Sequence, residues 1–177
     1  MAIDTEALFT VVYRAHYEDV LRFVSRRAHP MNVDDIVGET FLTAWRRRHE
    51  LPDDPRPWLF GTARNVMLNA GRGMRRQSSL VVRIQQTFRA DGDDSKADFA
   101  GRVDDRLGLS AAWQALSEGD QEVLSLHVWE ELTAQQAGQV LGCSRATFAM
   151  RLTRARRRLA RLVDPDRQAD VSLAATR

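Results

Sequence analysis

The stretch "LTAQQAGQVLGCSRATFAMRLTRARRRLARL", Leu132 to Leu162, decides how the C-terminal half of this chain folds. "TAQQAGQVL" is long enough for a helix of about nine residues. "GCS" supplies a turn around Gly142, and a second helical pattern follows, the arrangement of a helix-turn-helix. Thr133 and Ser144 stand where each helix needs a side-chain oxygen to accept from an exposed backbone amide. Phe148, Leu152, Ala155, Leu159 and Leu162 recur at helical spacing and predict one apolar stripe that docks the second helix on its domain. The same helix carries Arg145, Arg151, Arg154, Arg156, Arg157, Arg158 and Arg161, and no acidic residue.

A helix so one-sided in charge calls for an anionic partner. In a helix-turn-helix the N-terminal end of the second helix enters the major groove, where side chains meet base edges. Ser144, Arg145, Ala146, Thr147, Ala149 and Met150 occupy that end. Arg151, Arg154, Arg157, Arg158 and Arg161 suit phosphates, which give affinity and salt dependence without reading sequence. A basic helix paired with an acidic protein is the simpler alternative. The turn spacing, the two caps and the stripe together favour DNA.

The bulk composition fits an ordinary globular protein: 177 residues, 44% hydrophobic and 28% charged, are enough for one medium domain or two small ones. The net charge is only +2, so the position of the charge matters more than its sum. Lys96 is the only lysine, and guanidinium groups supply nearly all the positive charge. Cys143 stands alone, which excludes an internal disulfide and a cysteine-based metal site. The start, "MAIDTEALFTVVYRAHYEDV", has no signal-peptide core, and no uncharged apolar run approaches the roughly 18 residues of a membrane span. The expectation is a cytoplasmic protein without membrane insertion.

The N-terminal half also reads as helical. Leu8, Val11, Val12, Ala15, Val20, Leu21 and Val24 keep helical spacing until "HPMN" interrupts it. Asn32, with Asp35 three residues on, resembles a helix start. The following "VDDIVGETFLTAWRRRHEL" puts Val33, Ile36, Val37, Thr40, Phe41 and Ala44 on one face. Asp34, Asp35, Glu39, Thr43, Arg46 and Arg47 remain on the other. "PDDPRP" stops that helix, and "WLFGTARNVMLNA" starts another near Pro57, with Gly71 and Gly73 expected to end or loosen it. From Ser78 to Arg106 the pattern fades into the acidic "DGDDSKAD", expected to be a linker. "DPDRQADVSLAATR" has little to bury and is expected to be mobile.

The predicted architecture is therefore all-α: two small helical domains joined by a flexible linker, with the helix-turn-helix in the second. The expected boundaries are 1–77, a linker over 78–106, 107–163, and a tail over 164–177. An enzyme is not indicated. His16, His29, His49 and His127 lack metal-ligand spacing, and no phosphate loop or nucleophile triad is present in the sequence. No catalytic residue, metal site or cofactor is expected.

Three stretches resemble the extracytoplasmic-function (ECF) sigma factors of bacterial RNA polymerase. "DDIVGETFLTAWRRR" resembles the family's region-two helix, and "PRPWLFGTARNVMLN" its promoter-melting segment. "LSEGDQEVLSLHVWEELTAQQAGQVLGCSRATFAMRLTRARRRL" resembles region four. The resemblance implies a transcription initiation factor with no catalytic activity of its own. Its first domain would bind core polymerase and recognise and open the −10 element, and its second would read the −35 element. It also implies contacts with the clamp coiled coil of the largest polymerase subunit through Asp35, Glu39, Thr43, Arg46 and Arg47, and with the β-subunit flap.

By motif match Asn65 is the candidate for the pocket that takes a base from the stack, with Arg64, Asn69 and Arg72 nearby. Arg75 and Arg76 would contact the released strand. Trp58, between proline and apolar neighbours, reads as core. ECF factors are commonly held by an anti-sigma factor, although nothing in this chain identifies one. The competing reading is another helix-turn-helix regulator, such as a response-regulator output domain, which would normally follow a receiver of alternating strands and helices.

Four places depart from the family pattern. Gly38 stands where glutamine is common, and Gly71 where a larger residue is usual, so the melting helix is expected to end early or bend. Ala137 and Gly138 replace a bulkier pair, implying closer packing or a less stable domain. Ala149 replaces a common basic residue and removes one expected DNA contact.

Overall fold

The computed structural model describes residues 6–73 and 108–164, and every regular element among them is helical. The long helices are α1 (Glu6–Ser25), α2 (Val33–Arg46) and α3 (Arg56–Gly73) in the first half. In the second they are α4 (108–114), α5 (Glu118–Val128), α6 (Ala134–Leu141) and α7 (Arg145–Val163). One-turn 3-10 helices at Pro30–Asn32 and Arg48–Glu50 precede and follow α2. The proposed linker, Arg75, Arg76 and the tail beyond Asp164 lie outside the described residues.

In the first half, α2 buries the expected face. Ile36, Val37, Thr40, Phe41 and Ala44 are enclosed against α1 and α3, and Val33 is half-buried. Thr40 is tolerated there because its hydroxyl donates to the Ile36 carbonyl at 2.7 Å, leaving no unsatisfied donor. α3 contributes Leu59, Phe60, Ala63 and Met67. Trp58 packs against this core as expected, with the Arg47 guanidinium 5.6 Å from its ring centre.

One local expectation fails, and another is met at Gly73 rather than at Gly71. Asn32 does not cap α2 with its side chain. It ends the preceding 3-10 turn in a helical conformation, φ −109° and ψ −1°, whereas a capping residue needs extended backbone. The side-chain acceptor falls instead on His29, whose Nδ1 accepts from the Met31 amide at 3.3 Å. Gly71 does not end α3, which continues to Gly73. A single helical glycine costs only about 1 kcal/mol, too little to outweigh a helix that is packed along most of its length.

In the second half, α5, α6 and α7 enclose Val123, Leu124, Leu126, Leu132, Ala137, Val140, Phe148, Leu152 and Ala155. The stripe on α7 fades toward its end: Leu159 is half-buried and Leu162 is 43% exposed. The last turn runs past the three-helix core, so Leu162 belongs to the surface. Gly138 answers a close approach rather than a loss of stability. A Cβ there would sit 2.7 Å from the Cys143 carbonyl oxygen, as the chain folds back over the end of α6. Gly142 closes that helix at φ 66°, a conformation open to glycine without strain.

The two halves also pack directly on each other, which their separate patterns did not foretell. α3 lies against α6, and a Cβ on Gly61 would meet the Val140 backbone at 3.7 Å. The buried apolar residues of both halves form one continuous cluster.

Candidate nucleic-acid interface

The free end of α7 is built from its turn. Ser144 accepts from the Thr147 amide at 3.1 Å, satisfying one of the helix's orphan donors. The supporting helix α6 begins with a reciprocal capping box. The Gln136 amide donates to the Thr133 hydroxyl at 3.3 Å, and the Gln136 side chain accepts from the Thr133 amide at 2.9 Å. The first turn of each helix in the motif is thereby fixed. Cys143 N–H donates to the Gly138 carbonyl at 2.8 Å, and Phe148, fully buried, anchors the first turn of α7. Ser144, Arg145, Ala146, Ala149, Met150 and Arg151 project outward, and Thr147 is half-exposed.

Further along, Arg154, Arg156, Arg157 and Arg161 are exposed. Arg158 differs. Its Nη1 donates to Asp120 at 2.6 Å, and the same carboxylate oxygen accepts from the Ser117 hydroxyl at 2.9 Å. Arg151, Arg154 and Arg158 line a shallow cleft against the start of α5, where Asp120 and Glu122 bring negative charge. A phosphate there would meet Arg151 and Arg154 first, because Arg158 already has a counter-charge.

On α3, Asn65 and Asn69 are exposed on one face, four residues apart, and Arg72 falls in the last turn. Arg64 is set apart from them. Its guanidinium makes a two-point contact with Glu122 of α5, Nε to Oε1 at 2.6 Å and Nη2 to Oε2 at 3.2 Å. On α2, Asp35, Glu39 and Arg46 are exposed and Thr43 is half-buried, and Arg47, just past its end, is exposed. Glu39 and Arg46 lie 3.9 Å apart, and Arg47 pairs with Glu50. The structure thus keeps three separate groups: the α7 end, the α3 face and the outer face of α2. Sequence reading missed the acids Asp120 and Glu122 that engage two of the chosen arginines. Both lie in α5, which carries no local mark of a partner on another helix.

Residues 12–78 match the family model of sigma-70 region 2, and residues 106–159 that of sigma-70 region 4. This chain is an ECF sigma factor. It is 26% identical over 150 residues to the ECF RNA polymerase sigma factor SigM of Bacillus subtilis, covering 84% of this chain and 90% of that protein. It is 28% identical over 155 residues to the ECF sigma factor SigC of Mycobacterium tuberculosis, covering 86% and 82%. Its fold is similar to that of CnrH, solved in complex with the cytosolic domain of CnrY, with 25% identity, a TM-score of 0.60 and 93% of each chain covered.

The sigma factor binds core RNA polymerase and directs initiation at promoters. Its helix-turn-helix reads the −35 element and its first half opens the −10 element. A receiver domain, which the response-regulator alternative requires, is displaced by the region 2 match. Among the described residues, no helix is long and apolar enough to cross a membrane.

Proposed function

We propose that the sigma factor divides its work among the three groups of side chains, as a non-enzymatic, cytoplasmic initiation factor. The observation that carries this reading is the doubly capped turn, which holds an acid-free, arginine-rich helix with its N-terminal end outward. Arg145 and Thr147 are the base-reading candidates, while Ser144, Ala146, Ala149 and Met150 shape the surface that meets the groove. Arg151, Arg154, Arg157 and Arg158 hold phosphates, each such contact releasing bound counterions.

Asn65 receives the base drawn out of the −10 duplex, supported by Arg64, Asn69 and Arg72, with Arg75 and Arg76 along the released strand. Asp35, Glu39, Thr43, Arg46 and Arg47 meet the polymerase clamp, their mixed charge setting orientation more than affinity. The β-subunit flap takes the second half. The corresponding boundaries are 1–77 and 107–163, joined by 78–106 and followed by 164–177. The cytosolic domain of CnrY, seen in complex with CnrH, supports a similar protein partner for this chain, such as an anti-sigma factor.

The test adds the chain to core polymerase on a genomic template library and maps the transcript starts. A shared pair of upstream elements is expected, and background-level transcription by the mixture would refute the reading. With Asn65→Ala, duplex binding should persist while permanganate reactivity of the melted bases falls. Unchanged reactivity would remove Asn65 from the pocket.

A further inference from the structure

Arg158 of α7 and Asp120 of α5 form an ion pair whose two partners are held unequally. The Asp120 side chain is 11% exposed, whereas that of Arg158 is 56% exposed. The carboxylate is fixed on its own helix. The Ser117 hydroxyl donates to its Oδ2 at 2.9 Å, and the Asp120 amide donates back to the Ser117 hydroxyl at 3.2 Å. Its place in the first turn of α5 adds the attraction of the helix dipole for a negative charge. Arg158 reaches it on a long stem, through Nη1 at 2.6 Å. The guanidinium can therefore swing toward a phosphate, while the carboxylate stays in the cleft that Arg151 and Arg154 also line.

We propose that Asp120 is a specificity-determining residue, a fixed negative charge beside the DNA-reading helix that weakens binding to non-promoter duplex more than binding to the −35 element. The proposal rests on the −35 reading of α7 above. Binding to arbitrary sequence draws on phosphate contacts alone, so a loosely seated helix recruits every cation it carries. To use Arg158 it must break the pair and leave Asp120 unpaired against the phosphates, a repulsive contact that counts against that complex. Promoter binding has a second source of affinity in the base edges met by Arg145 and Thr147. Arg158 lies 13 residues beyond Arg145 on the same helix, about 20 Å away at 1.5 Å per residue. A helix seated by its N-terminal end reads its site while Arg158 stays with Asp120.

The other acid in the cleft does not act in the same way. Glu122 also lines it, but its carboxylate meets two nitrogens of Arg64, so its charge is already answered. The arginines of α7 cannot discriminate by attraction alone, because phosphates repeat identically along any duplex. A repulsive element placed beside them supplies the missing difference. The size of the effect follows from the exposure of Arg158: a pair so open to water is exchanged readily, so the discrimination is several-fold.

Fluorescence anisotropy of the full chain on two labelled duplexes tests this. One duplex carries the −35 element shared by the mapped transcript starts, and the other carries the same bases scrambled. Asp120→Asn keeps the side chain's shape and an oxygen for the Ser117 hydroxyl, and helix content by circular dichroism should be unchanged. Affinity for the scrambled duplex should rise several-fold, with the slope of log affinity against log salt steeper by about 1 as Arg158 is freed. Affinity for the −35 duplex should rise less than about twofold. Equal rises on the two duplexes, or none on either, overturn the proposal. If Asp120→Asn loses helix, Arg158→Gln decides the matter, because it leaves the carboxylate without its cation. Scrambled-duplex binding should then fall several-fold and −35 binding less than about twofold, and an equal fall overturns the proposal. A wild type that prefers the −35 duplex by the same ratio as its variants rejects the role of Asp120 and keeps the −35 reading. A wild type that binds both duplexes alike rejects that reading, and the proposal with it.

Discussion

Two sets of arginines divide this molecule. Arg26, Arg27, Arg56 and Arg64 sit where the halves meet, each paired with an acid, their side chains 21%, 3%, 29% and 22% exposed. Arg145, Arg151, Arg154, Arg156, Arg157 and Arg161 are exposed on one helix that has no acidic residue of its own. The side chain is the same, so type alone does not assign the role. A guanidinium removed from water must recover its lost solvation from fixed partners. One left in water among like charges is held for a partner that arrives later, and a polyanion fits that position best.

The sharpest way to break the contrast is to remove the most enclosed member of the first set. Arg27→Met keeps much of the stem's volume but leaves Glu130 with only the more exposed Arg26 beside it. Breaking a buried pair from one side typically costs about 3–5 kcal/mol. Urea denaturation should show a loss of that order. A loss below about 1 kcal/mol would mean that Arg27 behaves like the surface arginines of α7.

The sequence showed the second set and hid the first, and the reason is range. The α2 face, the Thr133 and Ser144 caps and the docking positions Phe148, Leu152 and Ala155 depend on residues within about one or two turns, so their spacing is visible in the chain. Arg27 and Glu130 are 103 positions apart, and "RRAHP" and "WEEL" each read as ordinary polar turns. The same limit explains why Arg64 entered the melting group without Glu122, and Arg158 the phosphate group without Asp120. Asn32 fails for a different reason. Its residue type suits a cap, but the 3-10 turn before it fixes a backbone that capping cannot use. Gly138 also needed the structure: residue type left closer packing and a less stable domain both open, and the fold shows a close backbone approach that leaves no room for a Cβ.

Within the second set, Arg154 and Arg158 sharpen the contrast. Both face the cleft beside α5, but only Arg158 is held by Asp120. Arg154→Ala should weaken promoter-duplex binding about equally across sequences and reduce the slope of log affinity against log salt by about 1. Arg158→Ala should reduce it less, because binding phosphate first requires leaving Asp120. Fluorescence anisotropy across a salt series separates the two. Equal slopes would show that the Asp120 pair opens freely. A base-specific loss from either variant would turn a phosphate grip into a reader.

The smallest expected effect lies at the edge of the first set. His16 of α1 is half-buried, and its Nδ1 has no hydrogen-bond partner. Burial pushes its pKa below the ordinary 6.5, with Asp19 and Asp54 pulling the other way and Arg56 adding to the depression. The folded state then binds a proton less readily than the unfolded chain. Just below pH 6.5 the unfolded state carries more protons, so stability must rise with pH through that window and fall as the solution is acidified. The opposing carboxylates of Asp19 and Asp54 limit the size of the effect. Thermal melts of the wild type and His16→Gln between pH 7.5 and pH 5.5 isolate the effect, because the carboxylate contributions are common to both. The wild type should lose slightly more stability on acidification. The opposite difference would show that Asp19 and Asp54 dominate, making protonated His16 a fifth cation in the set that holds the halves together.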